Sequence, residues 1–357
     1  MTFTEIMQDL KKGKYSPVYL LHGDEAYYID KVADHIEQKV LQDGERDFNQ
    51  TILYGRDVDL LQLISIAKRY PMASPYQVII VKEAQDIKGL LGKDDSDAEE
   101  PEPLTKDKDK KKSKTPLLDY LAQPQPSTIL VFCYKHKKAD ARTKIFKAIE
   151  KVGTVLLSAK LYEDKIPNWI EKYCSDQGFT IEPKASALLS AYAGANLSKL
   201  SNELDKLFIN LRKGDTINAG LIEQYIGVSK DFNVFELSSA LLSRDITKAN
   251  KIINYFGANP KSGPMPMVLP VVFSNFIKLL KYQNLPDKNA RQASAALGIN
   301  EYFIKEYAEA SKKYSVSKIV NIISMLRDYD LKSKGVNNIG TMPDSELMRE
   351  LVFKIVH

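Results

Sequence analysis

Pro17-Val18-Tyr19-Leu20-Leu21-His22-Gly23-Asp24-Glu25-Ala26-Tyr27-Tyr28-Ile29-Asp30-Lys31 decides how the rest of the chain is read. A short apolar run ends at a glycine, and a helical pattern begins just after it. Strand, glycine turn and helix in that order open many nucleotide-binding α/β domains. The phosphate chemistry is missing. A P-loop needs a second glycine five residues after the first, then Lys, then Ser or Thr. Counted from Gly23, those places hold Tyr28, Ile29 and Asp30. There is no ammonium for the β- and γ-phosphates and no hydroxyl for magnesium, and an aspartate stands where positive charge is needed. The stretch has the frame of an ATPase without its chemistry.

A second loss lies further on. Gln77-Val78-Ile79-Ile80-Val81 is a β-branched run of the kind that fills a central parallel strand. In many nucleotide hydrolases such a strand ends in an aspartate that holds magnesium. Here Lys82-Glu83 follows, so a cation replaces the carboxylate.

Working outward, residues 18–21, 48–54, 128–134 and 154–157 read as further strands. Helical spacing covers 2–11, 26–41, 58–69, 117–121 and 141–151. Leu60, Leu61, Leu63, Ile64 and Ile66 supply the expected core face of the third. Strands alternating with helices predict a parallel sheet covered on both faces. From Tyr162 the pattern is all helical, with a boundary near Ser229. The expected organisation is an α/β domain over 1–160, a small helical domain over 161–229 and an all-α domain over 230–357. Residues 92–115 are acidic and then lysine-rich, with too little apolar area to offset ordering entropy, and read as a mobile solvated insertion.

Composition narrows the function classes. Apolar residues at 44% and charged residues at 27% are ordinary for a globular protein. A net charge of +5 permits a nucleic-acid contact without demanding one. Two cysteines, Cys133 and Cys174, are too few for a disulfide framework or a cysteine zinc site. The four histidines, His22, His35, His136 and His357, fall in different elements, and no metal site is expected. No Gly-x-Ser-x-Gly elbow occurs. No signal peptide is visible, and the apolar stretch 265–280 is broken by Pro266, Pro270, Asn275 and Lys278. A soluble cytoplasmic protein with no membrane partner is expected.

Three stretches remain as interaction candidates. Tyr70-Pro71-Met72-Ala73-Ser74-Pro75-Tyr76 puts apolar bulk into a connection that should lie at the surface. Its prolines fix the backbone. From the residues alone it is either a plug tucked under the sheet or a rigid wedge for an apolar pocket on a partner. Lys135, Lys137, Lys138 and Arg142, with Lys144 and Lys147 beyond them, form the densest ordered basic cluster, either a phosphate-binding face or a solvated one. Ala293 to Ile299 followed by the helix at Tyr302 has the outline of a helix-turn-helix, with Glu301, Glu306 and Glu309 set unfavourably for phosphates.

The chain resembles the delta subunit of the bacterial replicative DNA polymerase clamp loader, over nearly its whole length. The resemblance rests on Tyr19-Leu20-Leu21-His22-Gly23-Asp24-Glu25 and on Pro71-Met72-Ala73-Ser74 leading into Val78-Ile79-Ile80-Val81-Lys82-Glu83-Ala84. It continues with Ala139-Asp140-Ala141-Arg142 before Phe146-Lys147, then Asn202-Glu203-Leu204-Asp205-Lys206-Leu207, Asn233-Val234-Phe235-Glu236-Leu237 and Asp330-Leu331-Lys332-Ser333-Lys334. It implies an AAA+-like α/β fold with a degenerate nucleotide site, a helical lid and an all-α C-terminal collar that joins a hetero-oligomer. It implies a non-catalytic subunit, without cofactor, that binds the sliding clamp and favours its open ring during DNA replication, with DNA held in the complex. The family's wedge presents two large apolar residues before a small pair. Here the small pair is Ala73-Ser74, so Pro71 and Met72 take the wedge positions. Pro71 departs from the pattern, which leaves either a weaker contact or one shared with Tyr70. Two other functions stay open: an active AAA+ ATPase, against which the sequence argues, and a stand-alone DNA-binding regulator.

Overall fold

The β-branched runs become the middle of a sheet. In a computed structural model, which describes residues 1–91, 116–229, 231–336 and 342–357, the chain forms two units, Met1–Lys160 and Leu161–His357. The expected charged insertion at 92–115 lies outside the described residues. In the first unit, β1 (Val18–Gly23), β2 (Gln50–Tyr54), β3 (Gln77–Lys82), β4 (Thr128–Lys135) and β5 (Thr154–Leu157) form one sheet. Its order is β2-β3-β4-β1-β5, and every pair is parallel. This is the AAA+-like arrangement that the resemblance implied.

Successive strand residues face opposite sides, so a parallel sheet buried on both faces needs two cores. Tyr19, Leu21, Val78, Ile80, Val131 and Cys133 join one, under α1 (Phe3–Lys11) and α2 (Ala26–Lys39). Their neighbours Val18, Leu20, Ile79, Val81, Leu130 and Phe132 join the other. That second core lies on the side of α4 (Leu60–Ala67), α5 (Pro116–Ala122) and α6 (Lys144–Val152), while the short α3 (Asp43–Asn49) leads into β2. Cys133 is buried, as its apolar surroundings suggested, and burial pushes its thiol pKa up to about 12.

Three local expectations fail here for identifiable reasons. Residues 43–49 are helix, not a turn and the start of a strand, because the Gln42 N–H bonds the Glu45 carboxylate at 2.9 Å and the Glu45 N–H bonds the Gln42 carbonyl at 3.0 Å. Leu61 is 66% exposed rather than in the core face, because the Asp59 N-cap starts α4 so that Leu63, Ile64 and Ala67 point inward. Arg142 precedes α6 instead of lying in it, because Thr143 caps that helix and the Asp140 carboxylate holds the Arg142 N–H at 2.9 Å.

The second unit contains α7 (Ile166–Asp176), α8 (Pro183–Ala193), α9 (Leu197–Ile209) and α10 (Ala219–Ile226). It is not all helical as expected: β6 (Thr180–Ile181) and β7 (Thr216–Ile217) pair in parallel. Then follow α11 (Val234–Leu242), α12 (Ile246–Ala258), α13 (Met265–Gln283), α14 (Ala290–Leu297), α15 (Ile304–Lys313), α16 (Val316–Ser333) and α17 (Asp344–Val356). Among the described residues, Pro260–Gln283 is long and apolar enough by composition to cross a membrane. In this fold its helix, α13, is the one that α11, α14, α15 and α16 pack around, burying Val268, Leu269, Val272, Phe276 and Leu279. The outline of a helix-turn-helix is present at α14 and α15, joined through Gly298 at φ 65°. However, Ile304, Tyr307 and Ala310 of α15 are spent on the core, and the Tyr307 hydroxyl donates to Asn275 Oδ1 at 2.6 Å.

Glu236, within the motif at the start of α11, is buried and joins three helices. It accepts from Lys184 of α8 at 2.7 Å and from Lys248 of α12. Burial pushes its carboxyl pKa up, but the two lysine bonds outweigh that and hold it below its ordinary value of 4.5. A depressed folded value means that the ion adds stability above the unfolded value and loses it as pH falls through the folded one. Glu236→Gln should therefore be less stable than wild type above pH 4.5, and the gap should close under acid. Denaturant titrations at several pH values check this; a gap independent of pH would rule it out.

Candidate functional site

The turn after β1 is closed by the protein itself. The Ser158 N–H donates to the His22 carbonyl at 2.7 Å, and the Ser158 carbonyl accepts the Glu25 N–H at 3.1 Å. On the other side Gly23 bridges Lys137, and the Ala139 N–H donates to His22 Nδ1 at 3.0 Å. Burial, with Lys138 nearby, pulls the His22 pKa below its usual value, so the ring stays neutral and accepts. The first turn of α2 has an anion already: the Glu25 carboxylate caps the Tyr27 N–H at 3.0 Å. A phosphate uses the free N–H groups and positive dipole end of such a helix. Here one of those groups is bonded to backbone and another to a carboxylate.

The strand ends follow the same pattern. Lys82, which stands where a magnesium-holding carboxylate is expected, faces Glu37 of α2 at 3.4 Å. Lys135, at the end of β4, pairs with Asp30 of α2 at 2.5 Å. Burial pulls the Lys82 pKa down, but Glu37 outweighs it and leaves the value raised, so the ammonium is kept. The charges that would meet phosphate and metal are thus spent on one another. A cavity of about 640 Å³ in this unit is lined by Phe3, Tyr28, Phe146, Val155, Leu156 and Lys138, among others. Lys138 is the one lysine or arginine in that lining, with Glu150 also in it and most of the rest apolar, which does not suit a triphosphate. Magnesium ATP should therefore leave the unfolding temperature unchanged. A ligand at about 100 times its Kd would add about 2.7 kcal/mol of stability, so a clear rise in a thermal melt would show an open site.

The segment between α4 and β3 is built differently. Tyr70 is 79% exposed and Met72 64%, so neither is tucked under the sheet. Pro71 is half-buried and Ala73 exposed. Ala73 has φ 52°, in the left-handed region that an alanine rarely adopts. The Ser74 hydroxyl accepts the Tyr76 N–H at 3.4 Å, and Tyr76 packs edge-on against Tyr15 at 5.4 Å. The sequence gives no warning of Asn49. It ends α3, is 2% exposed, accepts the Met72 N–H at 2.6 Å and donates to the Met72 carbonyl at 2.9 Å. Its position after an apparent strand residue hid this role.

The basic cluster is only partly free. Lys135 is paired with Asp30, as above, and Arg142 with Asp140 at 2.8 Å. Lys137 and Lys138 are exposed on the loop between β4 and α6, and Lys144 and Lys147 are exposed on α6. Among the described residues no group of three metal-ligating side chains occurs.

Comparisons with known proteins agree with this fold. The family model for the DNA polymerase III delta subunit matches residues 19–159, and that for its C-terminal domain matches residues 231–351. The DNA polymerase III subunit delta of Bacillus subtilis (strain 168) is 24% identical over 334 residues, covering 92% of this chain and 91% of the relative. A probable DNA polymerase III subunit delta of Aquifex aeolicus (strain VF5) is 23% identical over 355 residues, covering 95% and 94%. A solved structure, the Bacillus subtilis DNA clamp loader delta protein, shares the fold with a TM-score of 0.55 at 20% identity, covering 99% of both chains. With both of its models matched in order along most of the length, the chain belongs to the DNA polymerase III delta subunit family.

Proposed function

We propose that this protein is a non-catalytic subunit of a clamp loader that binds the sliding clamp and favours its open ring. The observation that carries the proposal is the Tyr70–Ala73 segment. Two large apolar side chains stand in solvent on a backbone held from behind, where burial in a partner's pocket would remove them from water. Each such side chain is worth about 1.5–3 kcal/mol when fully buried. A wedge that fits the open ring better than the closed one shifts the ring by its differential affinity, and moving it from 1:99 to 99:1 takes about 5.5 kcal/mol.

Residues 161–229 serve in this reading as the lid, and 230–357 as the collar that joins other subunits in the cytoplasmic replication machinery. Threaded DNA meets Lys137 and Lys138 first, with Lys135 and Arg142 available only through exchange of their carboxylate partners. ATP is hydrolysed by other subunits, since this chain fills its own phosphate loop.

The test is a titration of the purified chain against the sliding clamp of its own organism. Saturable one-to-one binding supports the proposal. No binding sinks it, and tight sequence-specific duplex binding by the chain alone would put a DNA-binding regulator in its place.

A further inference from the structure

The 70–76 segment is fastened by a residue from another part of the chain. Asn49 uses its amide as a neighbouring strand would use a peptide: Oδ1 takes the Met72 N–H and Nδ2 gives to the Met72 carbonyl. The remaining hydrogen on Nδ2 goes to the Glu45 carbonyl, one turn earlier in α3, at 3.0 Å. All three bonds have one consistent assignment, because a flipped amide would set donor against donor at Met72 and acceptor against acceptor at the two carbonyls. The pair of hydrogen bonds from one residue fixes the Met72 backbone, and Ala73 holds its left-handed φ directly after it. Next to Asn49 stands Phe48, in the last turn of α3 and 70% exposed. Phe48 belongs to neither core of its unit.

We infer that Asn49 is the positioning residue of the Tyr70–Ala73 segment, and that Phe48 is a third apolar contact for the same partner. The partner is then met by Phe48, Tyr70 and Met72, supplied by two stretches of chain 23 residues apart at the Asn49–Met72 bond. The inference rests on the clamp reading above for the identity of that partner. It adds that the wedge is pre-organised, so less ordering entropy is lost on docking.

The experiment is a clamp titration of the full chain with Phe48→Ala and Asn49→Ala, beside amide hydrogen exchange at Met72. Ile209→Ala, an exposed position in the other unit, is the control. Phe48→Ala is expected to weaken binding about tenfold or more at an unchanged unfolding temperature. Asn49→Ala is expected to weaken binding and to abolish protection of the Met72 amide, while the β3 amides stay protected. That local loss separates positioning from a general loss of structure. Asn49→Asp keeps an acceptor for Met72 but loses both donated bonds; it serves if the alanine variant fails to fold, and it too should bind more weakly. Wild-type affinity in Phe48→Ala overturns the third contact. Met72 protection retained in Asn49→Ala overturns the positioning role, whether or not the clamp binds, as does wild-type affinity in Asn49→Asp. No binding by the wild-type chain instead removes the clamp reading and, with it, the partner named here.

Discussion

Replacing Tyr70 and Met72 together by alanine should reduce affinity for the clamp about 100-fold or more and leave the fold intact. The two halves of this expectation have separate grounds. Apolar anchors that fill a partner's pocket commonly cost 2 kcal/mol or more each when truncated, and about 1.4 kcal/mol is a tenfold change. The two losses are not additive, since the side chains share one segment, so about 100-fold is a floor rather than a sum. Stability is spared because both side chains already stand in water, at 79% and 64% exposure, and surface truncations usually move stability by only about 0.5 kcal/mol. The backbone bonds from Asn49 are also untouched, because they go to the Met72 N–H and carbonyl. Calorimetric titration with a thermal melt of each protein checks both halves. Full affinity in a folded double variant would move the site elsewhere while keeping a clamp-binding function.

The sheet was legible in the sequence because its signal is local and strong. Val78 to Val81 and Ile129 to Phe132 are runs that only a strand covered on both faces can bury, and the two cores sort them residue by residue. The short α3 was not legible. Seven residues including Gly44 carry no apolar period, and what makes them helical is the Glu45 carboxylate capping the Gln42 N–H while the Gln42 carbonyl takes the Glu45 N–H. Phe48, in the last turn of α3, therefore reads as part of the strand that begins two residues later. The paired threonines of β6 and β7, with hydroxyls 2.7 Å apart, were missed because two residues per strand give no alternation to read.

The candidate site divides in the same way. Tyr70 and Met72 stand out because apolar bulk between prolines is unusual in a connection, although the residues alone could not choose between plug and wedge. The exposure of both side chains excludes the plug, and the segment's backbone is held by Asn49, which reads as an ordinary polar residue until the fold brings it to Met72. The absent phosphate chemistry was visible at Tyr28-Ile29-Asp30 and at Lys82. What occupies the space was not: Ser158 and Glu25 reach the turn only through the adjacent strand β5 and the cap of α2.

That closed turn makes a strong prediction about Gly23. In a nucleotide-binding loop a glycine there would serve the phosphate; here it serves Ser158. A Cβ on Gly23 would lie 2.0 Å from the Ser158 carbonyl oxygen and 2.6 Å from its carbon, and φ is 137°, outside the usual range of residues with a side chain. Alanine must push the end of β5 away. That strains the Ser158 N–H bond to His22 and the Glu25 N–H bond to Ser158. Backbone strain of about 1–3 kcal/mol and two weakened hydrogen bonds at about 0.5–1.5 kcal/mol each together place Gly23→Ala at about 2–6 kcal/mol. At about 2–4 °C per kcal/mol for a unit of this size, the melt should fall by about 12 °C at the middle of those ranges. Gly13→Ala is the control: φ is 71°, but nothing lies within 4 Å of the added carbon, so only the cost of the left-handed backbone applies, about 1–2 kcal/mol. If the two variants melted alike, close approach by Ser158 would not be what retains Gly23. If Gly23→Ala fell far below Gly13→Ala, packing alone would account for the glycine, without any phosphate contact.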